Sequence, residues 1–230
     1  MKILALDTSG EYCSIALLLG SEILTQEVLA EQRHSELMLP MVQQVLDEAG
    51  LSLAQLDGIA FGAGPGSFTG LRIACGVTQG LAFGADLPVV GICTLEALAQ
   101  ETGGSRVITA LDARMREIYH AAYQKTMDGW QAVSEPSLCL PHGAPLVSEY
   151  GWAGCGSGFD MYSEALRNRY SGHVNHIVSG LRPGARAMVE LAAPRFAEGL
   201  GIDPADAAPL YVRNKVALKE KERALKEKER

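Results

Sequence analysis

The sequence predicts an α/β protein built as two related lobes. Three observations carry that expectation. The segment Ile3-Leu-Ala-Leu-Asp7, followed by a polar turn and a second apolar run to residue 17, is echoed by Ile108-Thr-Ala-Leu-Asp112 and the run that follows it to residue 123. Asp7 and Asp112 stand 105 residues apart, the size of a small domain, so a duplicated β-hairpin opens each half. A glycine-rich stretch from Gly62 to Gly76, with five glycines in fifteen residues, joins a short apolar strand to a long helical segment. Last, 230 residues with 47% hydrophobic and 20% charged content are enough to bury a sizeable core.

The elements follow in order. A strand from Ile3 ending in Ala-Leu-Asp7 and strands near 12–19 and 22–29 form a three-stranded unit over 2–29, with Gly20-Ser21 as a turn. A helix is expected over 35–49, with Ser35 as N-cap and Gly50 as its stop, and with a kink or later start at Pro40. Its apolar side is Leu37, Met38, Met41, Val42, Val45 and Leu46. Strand 58–62, the glycine loop and its helix, strand 88–92 and helix 94–101 complete a lobe spanning 1–104, closed by the linker Thr102-Gly-Gly-Ser105. The second lobe, 105–213, repeats the three strands near 107–111, 117–125 and 130–139. It continues with a short strand at 152–156 and helices near 160–169 and 184–199. A tail, 214–230, carries the heptad Ala-Leu-Lys-Glu-Lys-Glu-Arg twice and reads as a solvated helix.

The glycine loop is not a nucleotide signature in its spelling. A P-loop requires a lysine, and none occurs between Lys2 and Lys125; the dinucleotide pattern fails at Ser67 or Thr69, where its third glycine belongs. Close packing and direct anion contact both remain open. The helix that follows has two ridges of small residues. Gly66, Gly70, Ala74 and Thr78 form one, and Gly76, Gly80 and Gly84 the other. Each helical glycine costs about 1 kcal/mol relative to alanine, so close approach of another backbone is expected, either inside the lobe or from a second chain. Ile73, Val77 and Leu81 supply the apolar face toward the sheet.

Composition narrows the function. A net charge of −7 argues against a broad nucleic-acid surface. The N-terminus reaches an acid at Asp7 and does not read as a signal peptide, and no apolar run approaches spanning length. Five scattered cysteines without a Cys-x-x-Cys pair suit a reduced cytoplasmic protein. His173 and His176 lie in a polar stretch read as a surface loop, and His34 as a helix-entry or interface residue.

Taken together, Ile3 to Ser9, Arg33-His-Ser-Glu36 with Leu39-Pro40, Gly64-Pro-Gly-Ser-Phe-Thr-Gly-Leu-Arg-Ile73, Leu111-Asp-Ala-Arg114 and Tyr211-Val-Arg-Asn-Lys-Val216 resemble the TsaB (YeaZ) family over nearly the whole chain. The resemblance implies two lobes of duplicated ribonuclease-H-like topology, as in the actin, Hsp70 and sugar-kinase superfamily. It implies a non-catalytic scaffold subunit of the bacterial tRNA N6-threonylcarbamoyladenosine (t6A37) machinery, with no cofactor and no metal of its own. Its expected partners are the catalytic paralogue TsaD, the ATPase TsaE and, in isolation, a second copy of itself, with tRNA reached only through the complex. TsaD relatives carry a His-x-x-x-His pair where this chain has Thr94 and Leu98, neither a competent metal ligand there. The rival readings are a small kinase or ATPase using Asp7 and Asp112 around Mg-ATP, and a metallopeptidase. The partner face is expected on the first and second helices, through Leu37, Met38, Met41, Val42, Val45, Ile73, Gly76, Val77, Gly80 and Gly84.

Overall fold

A computed structural model describes residues 1–212; the repeated heptads and the end of the Tyr211 motif lie outside the described residues. The first sheet contains β1 (Lys2–Asp7), β2 (Tyr12–Leu19), β3 (Glu22–Leu29), β4 (Gly58–Gly64) and β5 (Val89–Cys93), in the order β3-β2-β1-β4-β5. The second contains β6 (Arg106–Asp112), β7 (Ile118–Thr126), β8 (Gly129–Cys139), β9 (Trp152–Cys155) and β10 (Val174–Val178), in the order β10-β9-β6-β7-β8. Both orders are the same walk through the sheet. In each, the first strand pairs antiparallel with the second and parallel with the fourth. This is the duplication that the Ala-Leu-Asp repeat predicts, in the ribonuclease-H-like topology that the family resemblance implies, and Asp7 and Asp112 end the two equivalent strands.

The helices are α1 (His34–Ala49), α2 (Phe68–Ala85), α3 (Thr94–Glu101), α4 (Ser157–Met161), α5 (Ser163–Arg169) and α6 (Ala185–Ala197). α1 begins one residue earlier than Ser35, without a side-chain cap, and runs through Pro40 to a left-handed Gly50. The single helix expected near 160–169 is two short ones, broken at Tyr162. The stretch around His173 and His176, expected as a loop, supplies edge strand β10.

Successive residues of β1 point to opposite faces of the sheet. Leu4 and Leu6 join Ile15, Leu17, Ile59 and Phe61 in a core covered by α1 and α2. Ile3 and Ala5 join Ala60, Val90 and Ile92 on the other face, which α6 covers with Ala185, Met188, Val189 and Ala192. Being buried on both faces is why β1 reads as an unbroken apolar run. The helix near 184–199 belongs by sequence to the second half, yet it is a layer of the first sheet. A cut at residue 104 therefore separates the two sheets but not their coverings. α3 lies between the lobes, against α6 on one side and β6 and β7 on the other.

Candidate functional site

The glycine loop closes down on the end of β1. A Cβ at Gly62 would stand 2.1 Å from Asp7 Oδ1, one at Gly66 2.6 Å from the Ser9 carbonyl oxygen, and one at Gly70 1.8 Å from the Thr8 carbonyl oxygen. Thr8 Oγ1 donates to the Gly70 carbonyl at 2.7 Å, Ser67 N donates to the Ser9 carbonyl at 2.8 Å, and Ser67 Oγ caps α2 by accepting from Gly70 N at 3.3 Å. Packing, not an open anion seat, is thus what Gly66 and Gly70 do against the Ser9 and Thr8 carbonyls, and Gly70, Ala74 and Thr78 along that ridge are buried.

Asp7 shares in this closure. Its oxygens accept from Ser9 N at 3.1 Å and Ser9 Oγ at 3.0 Å, it is almost wholly buried, and burial pushes its carboxyl up to about 7. Asp112, in the equivalent place, is half-buried. Its Oδ1 accepts from Tyr162 OH and Arg114 N, each at 3.0 Å. The second glycine loop repeats the packing of the first. A Cβ at Gly156 would lie 2.4 Å from the Ala110 carbonyl oxygen, and one at Gly158 2.8 Å from Ala110 Cβ. The N-terminus of α6 is also occupied. Ala185 N donates to Ser14 Oγ at 3.0 Å, and Ala187 N donates to the carboxylate of Glu101, whose pKa is raised by burial and by nearby Glu190. Ser67 N and Gly70 N at the start of α2, and Ala185 N and Ala187 N at the start of α6, thus already donate within the chain.

The metal candidates are dispersed. Thr94 Oγ1 donates to the Pro65 carbonyl and Leu98 is buried in the core between the lobes. Cys93 lies beside Tyr123 OH at 3.5 Å, while both carboxylate oxygens of Glu96 accept from Arg195 Nη2 at 2.7 Å. His34 Nε2 meets the Gly10 carbonyl at 3.1 Å, and His173 stacks on Tyr150. Among the described residues, no group of three or more His, Cys, Asp or Glu side chains is arranged to hold a metal ion.

The expected partner face divides. Met38, Met41, Val42 and Val45 are buried in the first lobe's own core, where they cover β2 and its neighbours, and Leu37, Ile73 and Val77 are partly spent there too. Those four are therefore not available as outward contacts. Gly76, Gly80 and Gly84 are exposed, with nothing within 4 Å of a Cβ built on any of them. The same face of α2 carries Phe83, 77% exposed, and Phe68 and Arg72, while α1 adds Leu39, 50% exposed. The Arg72 guanidinium lies 3.7 Å over the Phe68 ring and donates through Nε to Tyr211 OH at 2.9 Å. Sequence reasoning missed Phe83, Phe68 and Arg72. Their signal was available, since residues 68, 72, 76, 80 and 84 repeat every fourth position and 83 flanks them.

Comparison with known proteins adds an independent line. The family model described as TsaD, tRNA N6-adenosine threonylcarbamoyltransferase, matches residues 18–145. The tRNA threonylcarbamoyladenosine biosynthesis protein TsaB of Escherichia coli is 39% identical over 95% of this chain and 97% of its own length. Its namesake in Haemophilus influenzae is 36% identical over 95% and 96%. The structure of YeaZ from Pseudomonas aeruginosa superimposes with a TM-score of 0.84 at 38% identity, covering 91% of this chain and 99% of that one.

Proposed function

This chain belongs to the TsaB (YeaZ) family, and from that premise we propose that it is the non-catalytic scaffold subunit of the t6A37 machinery. The observation that carries the reading is the match along nearly the whole of both chains to proteins named for threonylcarbamoyladenosine biosynthesis. The site geometry supports the non-catalytic part. Asp7 is buried under Gly62, the two glycine loops pack on their own backbone, and Thr94 and Leu98 stand where a metal pair would be needed. In this reading the chain pairs with TsaD, the pair recruits TsaE, and tRNA is met only by the assembly. The family model's match to TsaD supports the paralogous partner, because related chains offer related faces. The outward face of α2, with Leu39 of α1 beside it, serves both the homodimer and the TsaD pair, so the two compete.

Gly80→Leu tests the reading. Nothing in the monomer lies within 4 Å of a Cβ there, so the variant folds normally by circular dichroism. A helix crossing at that point meets a clash of about 1–3 kcal/mol or more, and both the homodimer and TsaD binding are expected to be lost. Both complexes at wild-type strength would place the interface elsewhere. Vigorous metal-dependent ATP turnover by the pure chain, abolished by Asp7→Ala, would overturn the non-catalytic assignment in favour of the kinase reading.

A further inference from the structure

The second lobe buries two polar atoms that no group of the described residues serves, Nδ1 of His120 and Oγ of Ser137. They stand on one rung. His120 of β7 and Ser137 of β8 are direct cross-strand partners, so both side chains leave the same face of the sheet with their Cβ atoms about 4.5–5.5 Å apart. That face is the core side. Ile118 and Ala122, two residues to either side of His120, pack there with Trp152, Phe159 and Tyr170. We propose that one internal water molecule is bound between His120 Nδ1 and Ser137 Oγ, as a fixed part of the second lobe.

The neighbouring bonds fix which way such a water points. Tyr170 OH donates to the Pro145 carbonyl at 2.8 Å, so its oxygen accepts from His120 Nε2 at 2.7 Å. Nδ1 is then an acceptor, because a neutral imidazole has no second proton to give. The Ser137 hydroxyl has a proton to give. A direct bond between the two would satisfy both, but they are not hydrogen-bonded to each other. A water that accepts from Ser137 and donates to Nδ1 completes one unbroken line of donors, from Ser137 through the water, His120 and Tyr170 to Pro145. Hydrogen bonds in such a line strengthen one another. The strands also make room. Between His120 and Ala122 the register shifts, so that Glu135 and Pro136 oppose the single residue Ala121, and Pro136 has no N–H to give to the ladder. A bulge leaves its extra residue unpaired, and a backbone oxygen there takes the water's second proton, giving it the three partners usual for a buried water.

Water suits this place better than an ion. Arg169 lies near enough to His120 to oppose a second positive charge. Among the described residues, no group of three or more His, Cys, Asp or Glu side chains joins His120 to hold a metal. The line has a structural use. Tyr170 grips the Pro145 carbonyl, and Arg169 Nε donates to the Ala144 carbonyl at 2.7 Å. Together they hold the connection from β8 to β9 onto the sheet, and the water fixes the His120 tautomer that the Tyr170 grip requires.

A high-resolution crystal structure of the full chain is the direct test. One ordered water is expected within about 2.7–3.2 Å of both His120 Nδ1 and Ser137 Oγ. A direct bond between Ser137 and His120, or no density between them, overturns the proposal. Nitrogen NMR gives a second readout in solution. In the wild type, Nδ1 is expected to resonate as an unprotonated nitrogen that accepts a hydrogen bond. Ser137→Val puts methyl groups where the hydroxyl and the water stood. The Nδ1 resonance is then expected to move to that of an unbonded nitrogen, while Nε2 keeps its proton. An unmoved Nδ1 resonance in a Ser137→Val protein that is folded by circular dichroism counts against the water. A protonated Nδ1 in the wild type also overturns it, because the line of donors then runs the other way. If Ser137→Val does not fold, the wild-type crystal decides by itself.

Discussion

Asp7 and His120 are ionisable groups placed where water does not reach, and they push stability in opposite directions with pH. The Asp7 carboxyl is raised from 3.8 to about 7 by burial. Its protonated form is favoured in the folded state, so its contribution is complete below 3.8 and is lost as pH rises through about 7. His120 is lowered from 6.5 to about 4, by burial first and by Arg169 second. Its contribution is complete above 6.5 and is lost as pH falls toward about 4. Tyr170 OH donates to the Pro145 carbonyl at 2.8 Å, so its oxygen accepts from His120 Nε2 at 2.7 Å, which assigns the Nε2–H tautomer and leaves Nδ1 bare. Between pH 4 and 6.5 the two groups offset one another. Asp7→Asn is therefore expected to give a protein whose urea midpoint rises more steeply with pH over that interval than the wild type's; an unchanged slope refutes the burial argument. Nitrogen NMR of the folded protein at pH 6 is expected to show a neutral His120, and an imidazolium there would contradict it. The sequence marked Asp7 as a strand end but not as a buried acid, because its burial depends on Gly62, Gly66 and Gly70 arriving from the loop sixty residues on.

At the scale of the element, α2 has two glycine ridges with opposite meanings. Gly70 faces the Thr8 carbonyl, where a Cβ would sit at 1.8 Å, and backbone cannot step aside as a side-chain end can. Gly70→Ala is expected to destabilise by about 1–3 kcal/mol or more. Gly76 faces open space, so under monomeric conditions Gly76→Ala is expected to stabilise by about 1 kcal/mol through helix propensity. Urea unfolding of the two variants checks the pair, and equal signs would contradict the assignment of ridges. The four-residue spacing showed both ridges in the sequence; which one meets the sheet depended on the position of β1. The apolar stripe of α1 was equally legible, but its large side chains proved to be needed by β2 and its neighbours. Edge strand β10 was not legible. It is short, it carries Asn175 and His176 outward, and its register shifts between Val174 and His176, so neither alternation nor an apolar run announces it.

At the scale of the molecule, the duplicated topology was readable from one repeated tripeptide, while the route of the last helix was not. α6 buries mostly small residues, Ala185, Ala187 and Ala192 around Met188 and Val189, and such a face does not say which sheet it covers. Its place on the first sheet predicts that residues 1–104 alone do not form a stable unit. That fragment is expected to bind a hydrophobic dye and to melt without a cooperative transition, and a sharp two-state melt would show that the lobe stands alone. The same contact has a consequence in time. β1 is made long before α6, with more than half of the described residues between them, and contacts so distant in sequence slow folding. While the ribosome is still adding the second sheet, the first has a bare face of Ile3, Ala5, Ala60, Val90 and Ile92, the kind of surface on which unfinished chains adhere to one another. Chains stalled before residue 185 are expected to yield to protease within β1 and β4, and those released beyond residue 197 to resist it. A helix made late thus makes safe a sheet made early.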